Sequence, residues 1–141
     1  MKKNNALYLI SRIREAANKF IVQELETNGL KGVVPSHGDI LMVLYTCEKC
    51  TMKELAQKIH RTKATLTVLV DKLIALKLIE KEKSPQDNRV TYIRLTPLGQ
   101  SYKGIFEKIS DELNNKLFKG FSDDETKNLV ELLQKTRANI E

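Results

Sequence analysis

The chain has 141 residues, with 24 Lys+Arg against 18 Asp+Glu and two His, a formal charge of +6, and 41% of it is hydrophobic. That length fits one ordinary domain or two small lobes sharing a core, and the low Gly and Pro content excludes disordered, collagen-like and low-complexity classes. No uncharged apolar run approaches the roughly 18–20 residues that cross a bilayer. Leu7–Ile10 is cut off by Arg12, Arg14 and Glu15 before it could form a signal-peptide core, so a cytoplasmic protein without a membrane partner is expected. Two cysteines do not make a disulfide framework. The pI of about 9.3 points to an anionic partner without naming one.

The excess charge is local. Residues 1–50 hold seven basic and five acidic side chains, residues 51–96 hold ten and five, and residues 97–141 hold seven and eight. Nearly all of it therefore lies in the middle third, as in segments that bind phosphates, whereas a merely solvated surface spreads its charge evenly.

Taken in chain order, Leu7, Ile10, Ile13, Ala17, Phe20, Ile21 and Leu25 form the stripe of an amphipathic helix that stops near Asn28-Gly29. Val33-Val34-Pro35 reads as an extended entry, after which Ser36 is the expected cap of a second, nearly all-apolar helix carrying Ile40, Leu41, Val43 and Leu44. Thr51-Met52-Lys53-Glu54 is a capping box, so a third helix should run to about Ile59. His60-Arg61 leaves room only for a tight turn before Thr62 caps a fourth helix with Leu66, Leu69, Val70, Leu73 and Ile74 inward. Two helices joined this closely are a helix-turn-helix.

From Leu78 the period changes to about two. Leu78–Lys83 and Val90–Leu95 flank the turn-rich loop Ser84-Pro85-Gln86-Asp87-Asn88-Arg89, which predicts a hairpin with a charged tip. Thr96-Pro97 pairs an N-cap with Pro at the first helical position, and Leu98, Tyr102, Ile105, Phe106, Ile109, Leu113 and Leu117 predict one helix of about twenty residues. Gly120 is a plausible stop. Ser122-Asp123-Asp124-Glu125 is a second capping box, opening a last helix with Leu129, Val130, Leu132, Leu133 and Ile140 on its apolar face.

Helix, helix-turn-helix, hairpin and long helices, with the basic excess on the middle elements, is the order of a winged helix with helical extensions. Thr62-Lys63-Ala64-Thr65-Leu66-Thr67-Val68-Leu69-Val70-Asp71-Lys72-Leu73, then Leu78-Ile79-Glu80, Asp87-Asn88-Arg89 and Leu95-Thr96-Pro97-Leu98-Gly99, resembles the MarR family of bacterial transcriptional regulators over about residues 35–120. The Asp-x-Arg wing and the Leu-Thr-x-x-Gly junction are its most specific elements.

The resemblance implies a fold that is mainly α with a small β-hairpin wing: a winged helix-turn-helix lobe at 35–96, with dimerisation helices at 1–34 and 97–141. It further implies a homodimer, with the terminal helices interlocked and each protomer offering one recognition helix and one wing. Binding to double-stranded DNA at an inverted repeat is expected, as a repressor released by a small-molecule effector or by thiol oxidation.

The residues support these assignments one by one. Lys63, Ala64, Thr65 and Thr67 occupy the first turns after Thr62, the part that enters a major groove in helix-turn-helix docking. Thr hydroxyls can bond phosphate or base edges, Thr methyls can meet a thymine methyl, and Lys63 can meet phosphate or guanine. Val68 stands where the family often has Arg and Ala64 where it often has Ser, which replaces bidentate guanine reading with apolar contact or shape. Arg89 at the hairpin tip is the best single candidate: a guanidinium on a projecting loop can enter a narrow, electronegative minor groove, and Asp87 can orient it. The competing account of this pair is an exposed ion pair that adds little stability. Lys81, Lys83 and Arg94 on the strands, and Lys53, Arg61 and Lys72 on the helices, are expected phosphate contacts. Tyr92 is the one aromatic in the basic third, so no stacking platform for single strands interleaves with the charges.

Cys47-Glu48-Lys49-Cys50 leaves three readings open: two ordinary half-buried cysteines, a redox pair that closes a disulfide, or half a metal site. His37 and His60 match no standard ligand spacing; His37 reads as a polar residue in a helix's first turn and His60 as a turn residue near DNA. Catalysis finds no Gly-rich phosphate loop, Ser nucleophile signature or His-Glu metal motif, so neither an enzyme nor a cofactor is expected. Two other classes remain beside the DNA-binding one: a winged-helix module that binds protein only, and a thiol-disulfide redox protein.

Overall fold

A computed structural model describes residues 3–141 of the chain. It divides into two compact units, one ending at Ile109 and one of Ser110–Glu141.

In the first unit, helix α1 (Ala6–Thr27) is followed by α2 (Pro35–Thr46), strand β1 (Cys50–Thr51), α3 (Met52–Ile59) and α4 (Lys63–Ala75). Strands β2 (Ile79–Lys83) and β3 (Thr91–Leu95), helix α5 (Pro97–Ser101) and the start of α6 (Lys103–Leu117) complete it. The core gathers Leu25 of α1, Ile40, Leu41 and Leu44 of α2, Leu55 of α3, Leu66, Val70 and Leu73 of α4, and Ile79 and Ile93 of the hairpin. These are the inward positions of a 3.6-residue period that gives way to a period of two, so each element contributes one apolar face to a shared interior. The sheet is antiparallel in the order β1-β3-β2, with Cys50 opposite Ile93 and Lys81 also opposite Ile93 from the other side.

Three expectations are corrected. The N-cap of α2 is Val34 and Pro35 is its first residue, so Ser36 lies inside the helix; the backbone N–H of Val34 instead donates to Nδ1 of buried His37 at 2.9 Å. A third strand, β1, joins the hairpin. The expected twenty-residue helix is two, α5 and α6, separated at Tyr102. The Gly99 carbonyl, which would continue the helical ladder, accepts from the Tyr45 hydroxyl at 2.8 Å and from the Tyr102 N–H at 3.3 Å, and the chain tightens there.

The Leu-Thr-x-x-Gly junction has a physical cause. Helix α4 ends in a Schellman motif: Leu78 N–H donates to the Leu73 carbonyl at 3.0 Å and Lys77 N–H to the Ile74 carbonyl at 2.9 Å. This puts Lys77 at φ +61°, a left-handed conformation that non-glycine residues resist. The Thr96 hydroxyl donates to the Lys77 carbonyl at 2.6 Å while accepting the Gly99 N–H at 3.0 Å, and Thr96 N–H donates to the Leu78 carbonyl at 3.1 Å. One threonine thus caps α5 and binds the end of β3 to the end of α4. Gly99 must lack a side chain because a Cβ there would collide with the Leu78 carbonyl.

The second unit holds the rest of α6 and helix α7 (Asp123–Ala138), whose capping box forms as expected: Glu125 N–H donates to the Ser122 hydroxyl at 3.1 Å and Ser122 N–H to the Glu125 carboxylate at 3.0 Å. No residue of α7 is buried. Leu129, Val130, Leu132 and Leu133 are exposed, as are Leu7, Tyr8, Leu9 and Ile13 on the first half of α1, so only the C-terminal half of the α1 stripe reaches the core.

The helical glycines Gly99 of α5 and Gly104 of α6 should respond to alanine with opposite signs. Gly99→Ala should lower the unfolding free energy by about 1–3 kcal/mol through backbone overlap. Gly104→Ala, which meets nothing within 4 Å, should raise it by up to about 1 kcal/mol. Urea denaturation followed by circular dichroism measures both; a Gly99→Ala protein as stable as the parent would contradict the junction.

Candidate nucleic-acid interface

The pair α3 and α4 is set by its caps. The Thr51 hydroxyl accepts Glu54 N–H at 3.1 Å, and Glu54 reaches back to Thr51 N–H at 3.4 Å. His60 takes φ 55° and ψ 50°, a left-handed conformation that ends α3 at once, and Thr62 already caps α4 by accepting Thr65 N–H at 3.3 Å. The turn is thus the two residues His60-Arg61, as read from the sequence.

Along the exposed start of α4, Lys63, Ala64, Thr65, Thr67 and Val68 all face solvent, Val68 with 70% of its surface exposed. The Thr62 hydroxyl donates to the Thr65 hydroxyl oxygen at 3.1 Å, and the Thr67 hydroxyl donates to the Lys63 carbonyl at 2.9 Å. Thr65 keeps its own O–H to donate, whereas Thr62 and Thr67 offer chiefly acceptor oxygens and methyl groups. An exposed Val68 on a helix start has no packing role in this chain, which suits an apolar contact with a partner.

The hairpin tip is an organised turn. Ser84 is buried; its hydroxyl accepts the N–H groups of Gln86 at 3.3 Å and Asp87 at 3.4 Å and donates to the Gln86 side-chain oxygen at 3.1 Å. Ser84 N–H donates to the Val90 carbonyl at 2.9 Å, and Val90 N–H to the Asp87 carbonyl at 3.0 Å, closing the loop. On this base the Asp87 carboxylate accepts Arg89 Nε at 3.1 Å, Arg89 Nη2 at 3.2 Å and Arg89 N–H at 3.0 Å. The guanidinium is held on two bonds yet is 90% exposed. Its side-chain bonds first, and its backbone N–H second, hold the Asp87 carboxyl below the usual 3.8.

A cleft of about 680 Å³ lies between α3 and the hairpin, floored by Met52, Ala56 and Val90 and edged by Lys53, Gln57, Lys63 and Arg89. It brings together cations from α3, α4 and the wing that lie far apart in sequence. Lys81 and Lys83 alternate with Glu80 and Glu82 along β2, so the lysines share the sheet face of their partners Ile93 and Thr91 and the glutamates share that of Arg94. Thr91 lines the cleft.

Three expected phosphate contacts sit differently. Arg94 departs most: it faces Glu80 at 3.6 Å and Glu82 at 3.5 Å across the strands, so its charge is already met. Arg61 reaches back to the Ser36 hydroxyl at 3.4 Å. Lys72 packs beside the backbone of Gly32, where a Cβ would lie 3.2 Å from its Nζ, and after burial it is the second cause of a lowered His37 pKa. Sequence reasoning missed Gln57 as a cleft residue, although its spacing of four from Lys53 puts both on one face of α3.

Cys50 is buried and Cys47 half-buried, with their Sγ atoms 2.9 Å apart. Among the described residues no group of three or more His, Cys, Asp or Glu is placed to hold a metal.

The MarR family model matches residues 35–91, the segment from the start of α2 to the start of β3. A solved complex of Staphylococcus aureus MepR with DNA superposes with a TM-score of 0.87 at 26% identity, covering 97% of this chain and 99% of that one. The chain belongs to the MarR family. Among curated MarR-type relatives, the transcriptional regulator SarZ of Staphylococcus epidermidis is 32% identical over 95 residues, which are 67% of this chain and 63% of SarZ. The Bordetella bronchiseptica regulator BpsR, solved in a study of how 6-hydroxynicotinic acid regulates its DNA binding, shares the fold with a TM-score of 0.78 at 20% identity, over 95% of this chain and 99% of that one. The MarR-type wing is therefore the β2–β3 hairpin, and its helix-turn-helix is α3–α4. The curated relatives of this MarR chain are transcriptional regulators of the helix-turn-helix type.

The Asp87 carboxyl should titrate below 3.8 in carbon-detected NMR and move back towards 3.8 in Arg89→Ala. A carboxyl whose pKa is depressed on folding keeps its full contribution above the ordinary value and loses it as pH falls through the lower one, so the bracket should persist across the neutral range. An unshifted Asp87 would mean that the two side chains do not pair in solution.

Proposed function

We propose that this MarR-family chain is a dimeric transcriptional repressor of the cytoplasm that binds double-stranded DNA at an inverted repeat. The observation that carries the reading is the convergence of Lys53, Lys63 and the Asp87-braced Arg89 on one cleft between α3 and the wing. In this reading the start of α4, with Thr62, Lys63, Ala64, Thr65, Thr67 and Val68, enters the major groove and Arg89 enters the adjacent minor groove. Lys53, Lys81 and Lys83 meet phosphates beside the cleft. Arg61 and Arg94 serve the interface from behind, Arg61 by bonding Ser36 of α2 and Arg94 by pairing with the neighbouring hairpin strand, while Lys72 meets phosphate at the flank of α4.

A second copy of the chain is supported by the exposed apolar side chains of α1 and, separately, of α7, a kind of surface that marks interaction sites. Two-fold symmetry then requires equivalent half-sites about one helical turn apart, or a multiple of it. A small-molecule effector that releases the DNA is supported by the BpsR study with 6-hydroxynicotinic acid. No described helix is long and apolar enough to cross a membrane, in keeping with this reading.

Arg89→Ala should weaken binding to the operator duplex by about 1–3 kcal/mol in anisotropy titrations, with an unchanged circular dichroism spectrum. Unchanged affinity would sink the wing assignment. Affinity should also fall steeply with salt, each neutralised phosphate adding about 0.9 to the log–log slope. A flat response would favour a module that binds protein instead of DNA.

A further inference from the structure

The exposed face of α4 lacks the side chains that grip guanine. Leu66, Leu69, Val70 and Leu73 go to the core, and the solvent side of the first turns is Lys63, Ala64, Thr65, Thr67, Val68 and Asp71. Helix α4 contains no Arg, Asn or Gln, the planar side chains that hold one base edge by two bonds. Arg61, just before it, is engaged by the Ser36 hydroxyl at 3.4 Å and by the His60 carbonyl at 3.3 Å. The hydroxyl protons of Thr62 and Thr67 go to Thr65 and to the Lys63 carbonyl, so of these three threonines Thr65 alone keeps its proton for a partner.

What this face offers instead is apolar. Val68 is 70% exposed, Ala64 stands one turn before it on the same side, and neither belongs to the core or packs against it. Asp71, three residues beyond Val68, is exposed and its carboxylate only accepts, which suits the amino group of adenine or cytosine and repels the two acceptors of guanine. We propose that Val68, with Ala64 beside it, selects the DNA by the 5-methyl group of a pyrimidine in the major groove, so that each half-site carries a thymine there. The inference rests on the DNA-binding reading above and names the base feature which that reading leaves open.

The selectivity has two sources. Val68 loses its water when it meets a thymine methyl, and each methyl so buried contributes about fourfold in affinity, or about sixteenfold over two equivalent half-sites. Other bases are also penalised, because an isopropyl group leaves a purine N7 or a cytosine amino group dry and without a partner. The wing cannot supply this discrimination. Arg89 in the minor groove meets an edge on which A·T and T·A look alike, so it responds to groove width and A·T content, whereas Val68 fixes which strand holds the thymine.

The test takes the full-length protein and a duplex that it selects from a random-sequence pool, with thymines replaced by deoxyuridine one symmetric pair at a time. Uracil keeps every hydrogen-bonding atom of thymine and lacks only the methyl. At one thymine of each half-site, the replacement should weaken binding by about tenfold or more in anisotropy titrations. Val68→Ala should bind the parent duplex more weakly and lose most of the difference between thymine and uracil at that position, with an unchanged circular dichroism spectrum. With cytosine there, 5-methylcytosine should recover about fourfold for each half-site. A duplex that binds equally well with uracil at every thymine overturns the inference, as does a uracil-sensitive position that stays equally sensitive in Val68→Ala. A pool that yields no bound duplex overturns the DNA-binding reading itself, a result distinct from tight binding that ignores the methyl.

Discussion

The hydrogen-bonded junction at Thr96 fixes the geometry on which the rest of this chain depends. A recognition helix and a wing can act as one tool only if the end of the helix and the base of the hairpin cannot move apart. Here the same threonine holds the Lys77 carbonyl, pairs its N–H with Leu78 and caps α5 through Gly99. Lys77 is held in a left-handed conformation that costs about 1–2 kcal/mol for a residue with a side chain, so the bonds around it must outweigh that cost. The Tyr45 hydroxyl extends the same junction into α2 by binding the Gly99 carbonyl, which also explains why the helix that follows breaks.

Charge is distributed on this frame with some economy. Of the cations in the middle third, Lys53, Lys63 and Arg89 edge the cleft. Arg94 and Arg61 are engaged by partners on neighbouring elements. The wing tip follows the same logic at smaller scale: buried Ser84 makes the turn rigid, Asp87 restrains the Arg89 guanidinium, and the guanidinium remains in solvent. A pre-oriented, exposed cation loses little side-chain freedom on binding, which is where such a bracket gains affinity.

Local signals were legible in the sequence and distant ones were not. Both capping boxes, the Thr62 cap, the two-residue turn at His60-Arg61 and the charged hairpin tip depend on residues within three or four positions of one another, and all form as read. Strand β1 was not legible, because two residues become a strand only by pairing with Ile93 and Tyr92, remote in sequence. The break at Tyr102 was hidden for the same reason, its cause being a hydroxyl on α2. Ser36 lost the capping position to Val34 because Pro35 is best placed at the first helical residue and His37 supplies the bond to the chain entering it. For the interface, residue type and order named candidates, but long side chains such as Arg94 and Lys72 lie against neighbours that only the fold brings near.

The central claim is that the start of α4 and the wing tip meet duplex DNA together. Backbone amide NMR of the labelled protein, with and without the operator duplex, tests it most directly. The account predicts that the largest shifts cluster in residues 61–68 and 84–91, with α7 unaffected beyond any general change in tumbling. Shifts confined to one of those segments, or centred on α7, would contradict it.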